Sequence, residues 1–128
     1  MNLSTRRNFV RIGIAILFIG AGVVHFTHAS VFENLVPVAL KDYRGSINAV
    51  TGVLIFAMGV AFLMPRLRAI ARWSAITLLV ATLPVTADRA IHPADGLPQA
   101  LAAVGVIVWL LMIALIWWAT KPETKFGP

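Results

Sequence analysis

Apolar residues in this chain come in long unbroken runs, separated by short clusters of Arg, Pro and other polar residues. Four such runs stand out, at about residues 9–26, 47–64, 69–87 and 100–120. Each is near the ~20 residues that cross ~30 Å of hydrocarbon at about 1.5 Å per residue. None shows the alternation of a barrel strand. In lipid the backbone must satisfy its own hydrogen bonds, so runs of this kind are helices. The pattern predicts an all-α fold, a four-helix transmembrane bundle, made by one domain over residues 1–128.

The connection between the first two runs breaks the pattern. Residues 27–46 are a long link for antiparallel helices, which are more often joined by a few residues. The link carries Phe32, Leu35, Val36, Val38, Ala39 and Leu40 around Pro37, too apolar for a solvated loop. Residues 31–40 are therefore expected as a short interfacial segment in the first outer loop or one folded back over the bundle mouth, either a membrane-lying cap or a lid over a lipid-side pocket.

Composition sharpens this picture. The chain is 59% hydrophobic and 12% charged, where a soluble domain is about half apolar and about a quarter charged. A soluble core of this size has too much surface to hide such a sequence. The absence of cysteine excludes disulfides, thiolate catalysis and cysteine-ligated metals.

The formal charge of +6 comes from basic residues at the ends of apolar runs, where membrane proteins carry them. No soluble basic face with aromatic platforms exists for nucleic acid. With four spans, Arg6, Arg7, Arg11, Arg66, Arg68, Arg72, Lys121 and Lys125 fall on one side, and Lys41, Arg44 and Arg89 on the other. That asymmetry expects both termini in the cytoplasm of a bacterial cytoplasmic membrane. Trp73, Trp117 and Trp118 read as interfacial anchors, and Arg72 as a side chain that snorkels. Residues Thr5 to Arg11 resemble a twin-arginine export signal with a loose cleavage region at His28-Ala29-Ser30, but three further spans follow, and the plainer reading is a basic flank.

Helix packing is expected at Gly13 and Gly20 on the first helix and at Gly52 and Gly59 on the second, each pair seven residues apart. Two turns bring such pairs to nearly one face, where small residues let backbones approach. Ala57 and Ala61 add a second small pair, and Pro84 frees the Val80 carbonyl and is expected to bend the third helix.

The topology gathers His25, His28, Glu33, Asn48, Thr51, Asp88, Arg89 and His92 on the outer side. From these, His25, Glu33, Asn48, Thr51, Asp88 and Arg89 are the candidate lining of an outer-facing pocket, with His25 and Asp88 inside it and the first loop above. Histidine titrates near neutral pH and can pass protons to a quinone headgroup. Structural alternatives stand beside this reading. His25 can hold the first loop, Asp88 and Arg89 can pair with other helices or cap their own, Glu33 can pair with Lys41 or Arg44, and His92-Pro93 can be a turn. No metal site is expected, since only His25 and His28 are closely spaced. Phosphate-binding glycine loops, nucleophile elbows and voltage-sensing arginines are also missing, so no catalytic residue is assigned.

One further pattern is shared with known proteins. Gly22-Val23-Val24-His25-Phe26-Thr27, then Phe32-Glu33-Asn34-Leu35-Val36-Pro37, resembles the start of DoxX-family membrane proteins. Thr51-Gly52-Val53, Leu63-Met64-Pro65-Arg66-Leu67-Arg68 and Leu83-Pro84 extend the resemblance over roughly residues 20–95. It implies a four-helix membrane bundle. Some DoxX-family members are linked to thiosulfate–quinone oxidoreduction, others to membrane redox complexes. Members often place an Asn after the Leu-Pro pair, where this chain has Asp88-Arg89.

Two function classes follow. One is a non-catalytic subunit or assembly partner of a membrane protein complex, in contact with lipid and with other membrane proteins or its own copies. The other is a quinone- or lipid-binding subunit of a redox system, with quinone the one candidate cofactor.

Overall fold

The computed structural model describes residues 1–92 and 99–122 of the chain. Its helices are α1 (Leu3–Thr27), α2 (Ala29–Glu33), α3 (Arg44–Leu63), α4 (Arg68–Ile91) and α5 (Gln99–Thr120), with 3-10 turns at Val38–Tyr43 and Pro65–Leu67. The described residues hold no strand. Four helices, α1, α3, α4 and α5, are long and apolar enough to cross a membrane, so the chain is an all-α four-helix membrane bundle.

The helices extend past the apolar runs because polar caps and flanks also take helical geometry. Asn2 starts α1: its Oδ1 accepts from the Thr5 backbone N–H at 2.9 Å, satisfying one of the free donors of the first turn. The α4 helix runs on through Pro84, Asp88 and Arg89 to Ile91 as one continuous element. Thr82 and Thr86 hydroxyls donate back to carbonyls of the preceding turn, at Leu78 and Thr82. Proline also sets the α3–α4 turn. Met64 is extended, as the residue before a proline prefers, and Pro65 opens the 3-10 turn where its missing N–H costs nothing.

Chain neighbours are spatial neighbours. The α1 helix packs on α3, α3 on α4 and α4 on α5, and α5 closes the ring on α1, with α1–α3 the most extensive pairing and α4–α5 the next. The buried apolar core sits at the end of the bundle that carries the amino terminus. It comprises Ile14, Ala15 and Phe18 of α1, Phe62 of α3, Ala71, Ala75 and Leu79 of α4, and Ile116 and Ala119 of α5. Phe18 and Phe62 meet edge to face at 5.5 Å. Ile16, Leu17, Val53, Val80, Ile107 and Leu111 all point outward and are exposed, which is the arrangement lipid requires.

The α1–α3 contact corrects the expected glycine pairs. A Cβ on Gly22 would stand 2.7 Å from Phe56 Cβ and 2.9 Å from the Gly52 carbonyl oxygen. One on Gly59 would stand 2.7 Å from Ile19 Cγ1 and 2.9 Å from the Ala15 carbonyl oxygen, and one on Gly52 would meet His25 Cβ at 2.9 Å. Gly52 and Gly59 are at the seam as expected, but their partners on α1 are Ala15 and Gly22. Gly13 and Gly20 are exposed, and among the described residues nothing lies within 4 Å of a Cβ built on either. The seven-residue spacing was the right rule applied to the wrong face: two residues along a helix turn it by about 200°. Ala57 likewise faces outward, with Ala61 half-buried.

The first loop lies across its end of the bundle as an apolar, surface-lying strap. α2 packs on α1 and α3, while Val31, Val38, Leu40 and Tyr43 remain exposed.

Candidate functional site

The polar side chains at the first-loop end close on one another. His25 is buried in the last turn of α1. Its Nδ1–H donates to the Ala21 carbonyl at 2.8 Å, a bond that requires the proton on Nδ1 because a carbonyl only accepts. Its ring stacks on Phe32 of α2, with centroids 3.8 Å apart and planes at 18°. Asn48, buried in the first half of α3, donates from Nδ2 to the His25 carbonyl oxygen at 2.7 Å. That carbonyl is one of the last-turn acceptors that helix termini leave free. The Asn48 Oδ1 is buried without a partner among the described residues. Gly52, one turn on, gives the room for His25 and Phe26 to approach α3.

The remaining expected members divide. Arg89 reaches across from α4 to donate from Nη2 to the Asn34 carbonyl at 3.1 Å, tying α4 to the first loop. Glu33 Oε1 lies beside Gly45, 3.9 Å from where a Cβ would stand, and makes no ion pair with Lys41 or Arg44 among the described residues. Thr51 is half-buried on α3. Asp88 corrects the expectation most clearly. Its side chain is 72% exposed and contacts His92 of its own helix, Nδ1 to Oδ1 at 3.2 Å. It does not share a pocket with His25. The physical reason is rotation: Arg89 faces the loop, so its immediate neighbour must face elsewhere. His92 ends α4 with its N–H on the Asp88 carbonyl at 2.7 Å; Pro93, the other half of the expected turn, lies outside the described residues. Among the described residues no three His, Asp or Glu side chains come together as a metal set.

Two concavities lie at opposite ends. At the first-loop end, Val23, Phe26 and Thr27 of α1 and Val53 and Phe56 of α3 line an apolar groove of about 340 Å³ that faces the lipid. At the amino-terminal end, Arg7 and Arg11 of α1, Arg68 and Arg72 of α4, and Lys121 beyond α5 line a cavity of about 460 Å³. The sequence reading treated these cations as separate flanks and missed their convergence. The signal was present: Arg7 and Arg11, and Arg68 and Arg72, are each four residues apart and so share a helix face. Arg72 Nη1 donates to the Thr120 carbonyl at 3.2 Å, and its guanidinium lies 5.4 Å from the Trp73 ring and 5.2 Å from that of Trp117. Arg72 is thus held at the amino-terminal end of the bundle.

The family model described as Domain of unknown function (DUF8561) matches residues 14–122. No curated protein matches the chain, and no solved structure does.

Proposed function

The chain belongs to the DUF8561 family, and we propose that it is a DoxX-like, non-catalytic membrane subunit that serves as an assembly or scaffold partner for other membrane proteins. The observation that carries this reading is the closure of the first-loop end. His25 Nδ1, Asn48 Nδ2 and the rings of His25 and Phe32 are engaged with one another and with helix carbonyls. Arg89 spends its guanidinium on the first loop. Bonds of this kind hold the first-loop end together and position its surface. The large outward apolar area of α3 and α5, with Val53, Leu54, Ile107 and Leu111 exposed, offers lipid or another membrane helix its contact.

The proposed setting is a bacterial cytoplasmic membrane with both termini in the cytoplasm. The unequal distribution of Arg and Lys supports that orientation. A second reading is a quinone- or lipid-binding subunit of a thiosulfate–quinone oxidoreductase-like system. The apolar groove of Val23, Phe26, Val53 and Phe56 favours it, because an isoprenoid or acyl tail fits such a lining.

Purification in mild detergent separates the two. The scaffold reading expects recovery with an integral membrane partner, or as a self-associated species, in fixed proportion and without quinone in an organic extract. A monomer carrying quinone in equal amount would overturn it in favour of the second reading.

A further inference from the structure

The amino-terminal end of the bundle gathers more positive charge than orientation in a membrane requires. Arg7, Arg11, Arg68, Arg72 and Lys121 line one cavity, and among the described residues no Asp or Glu lines it with them. A flanking cation that only orients a helix reaches into water or toward the headgroups. Here the four arginines are partly or fully buried in the bundle end. Arg11 is 9% exposed, and the Nε atoms of Arg7, Arg11, Arg68 and Arg72 are all buried without a hydrogen-bond partner among the described residues.

The partners they do have are neutral. Arg11 Nη1 donates to Asn8 Oδ1 at 2.7 Å, and Arg72 Nη1 to the Thr120 carbonyl at 3.2 Å. Neutral acceptors satisfy single N–H groups and leave the charges without a counter-ion among the described residues. Several cations sharing a partly dehydrated cavity repel one another, and burying an unpaired charge is costly. Aromatic rings steady the cluster from outside: Arg7 lies 5.8 Å from the Trp118 ring and Lys121 5.9 Å from that of Trp117. Arg68 and Ala69 also put the first turn of α4, which has no side-chain cap, in the cavity wall. The positive end of that helix's dipole adds partial charge of the same sign.

We propose that this cavity is a binding site for a phosphate-bearing anion. Guanidinium forks match phosphate oxygens in bidentate geometry. The volume of about 460 Å³ is that of a small-molecule site. Tryptophans at the rim place it at headgroup depth. The anion's source is either the phosphate of an anionic phospholipid or free phosphate, and the two are experimentally separable.

The test is thermal unfolding of the full chain in detergent, with phosphatidylglycerol, phosphatidylcholine or inorganic phosphate added. The site predicts that phosphatidylglycerol raises the melting temperature and phosphatidylcholine does not. A matching rise with inorganic phosphate alone assigns the free anion as the source and still supports the site. Arg7→Gln and Arg68→Gln should weaken the anion response roughly tenfold, the worth of one charge-assisted hydrogen bond. Without anion, both variants should melt no lower than wild type, because a repelling charge has gone; a purely structural role would lower it. Arg66→Gln removes an exposed cation of the same end that does not line the cavity, and should leave the response intact. The proposal is overturned if no anion shifts the wild type, or if Arg66→Gln weakens the response as much as Arg68→Gln.

Discussion

Gly22 shows how much one hydrogen atom decides in this fold. A methyl group there would meet the Phe56 Cβ at 2.7 Å and the Phe56 backbone nitrogen at 2.8 Å. Backbone atoms of a packed helix cannot move aside cheaply, so Gly22→Ala should cost ~1–3 kcal/mol, as overpacking does. Gly20→Ala, which meets open space, should leave stability level or raise it slightly through helix propensity. Thermal unfolding of both variants in one detergent checks this, and equal melting would refute the seam. The right face of α1 was legible from its polar residues rather than from its glycines. Arg11 and His25, fourteen residues apart, fall nearly on one face and are both buried, because a helix in lipid turns its polar groups inward. Gly22 lies on that face, one turn before His25. Side-chain bonding adds a second contrast. Asn48→Ala should cost ~1–3 kcal/mol, since it strands the His25 carbonyl. Asp88→Asn, at an exposed position, should stay within about 0.5 kcal/mol of wild type by the same measurement.

At the scale of elements, hydropathy located every spanning helix and missed the polar ends of α1 and α4. Apolar runs report the stretch that sits in hydrocarbon, whereas helices continue as long as caps and backbone geometry allow. That is why α1 begins at Leu3, under the Asn2 cap, and α4 reaches Ile91 past its charged residues. The strap over the first-loop end was legible as an interfacial segment from its apolar residues and Pro37. Its docking was not, because the Arg89–Asn34 link joins residues 55 positions apart and rests on a backbone carbonyl that every sequence possesses. Arg89→Ala should therefore loosen the strap selectively. Amide hydrogen exchange across Ala29–Glu33 should accelerate, while global stability changes by less than about 1 kcal/mol, the usual worth of one exposed hydrogen bond. Unchanged exchange would show that α2 is held by the His25–Phe32 stack alone.

At the scale of the whole molecule, the two ends of the bundle have opposite characters. One is closed by hydrogen bonds to backbone carbonyls and an aromatic stack, the other gathers cations around a cavity. The absence of native cysteine makes the proposed orientation directly testable with single-cysteine variants. Ser30→Cys should react with a membrane-impermeant maleimide in intact cells, and Asn2→Cys, Arg66→Cys and Lys121→Cys only after permeabilisation. The opposite pattern would invert the bundle. The central claim is that the polar groups at the first-loop end hold the structure together and do no chemistry. The most direct measurement is a paired one on wild type and His25→Ala: melting temperature in detergent, and quinone content of an organic extract. A structural His25 predicts a lower melting temperature for the variant, with no quinone in either extract. An unchanged melting temperature, with quinone present in the wild type and lost from the variant, would contradict the account.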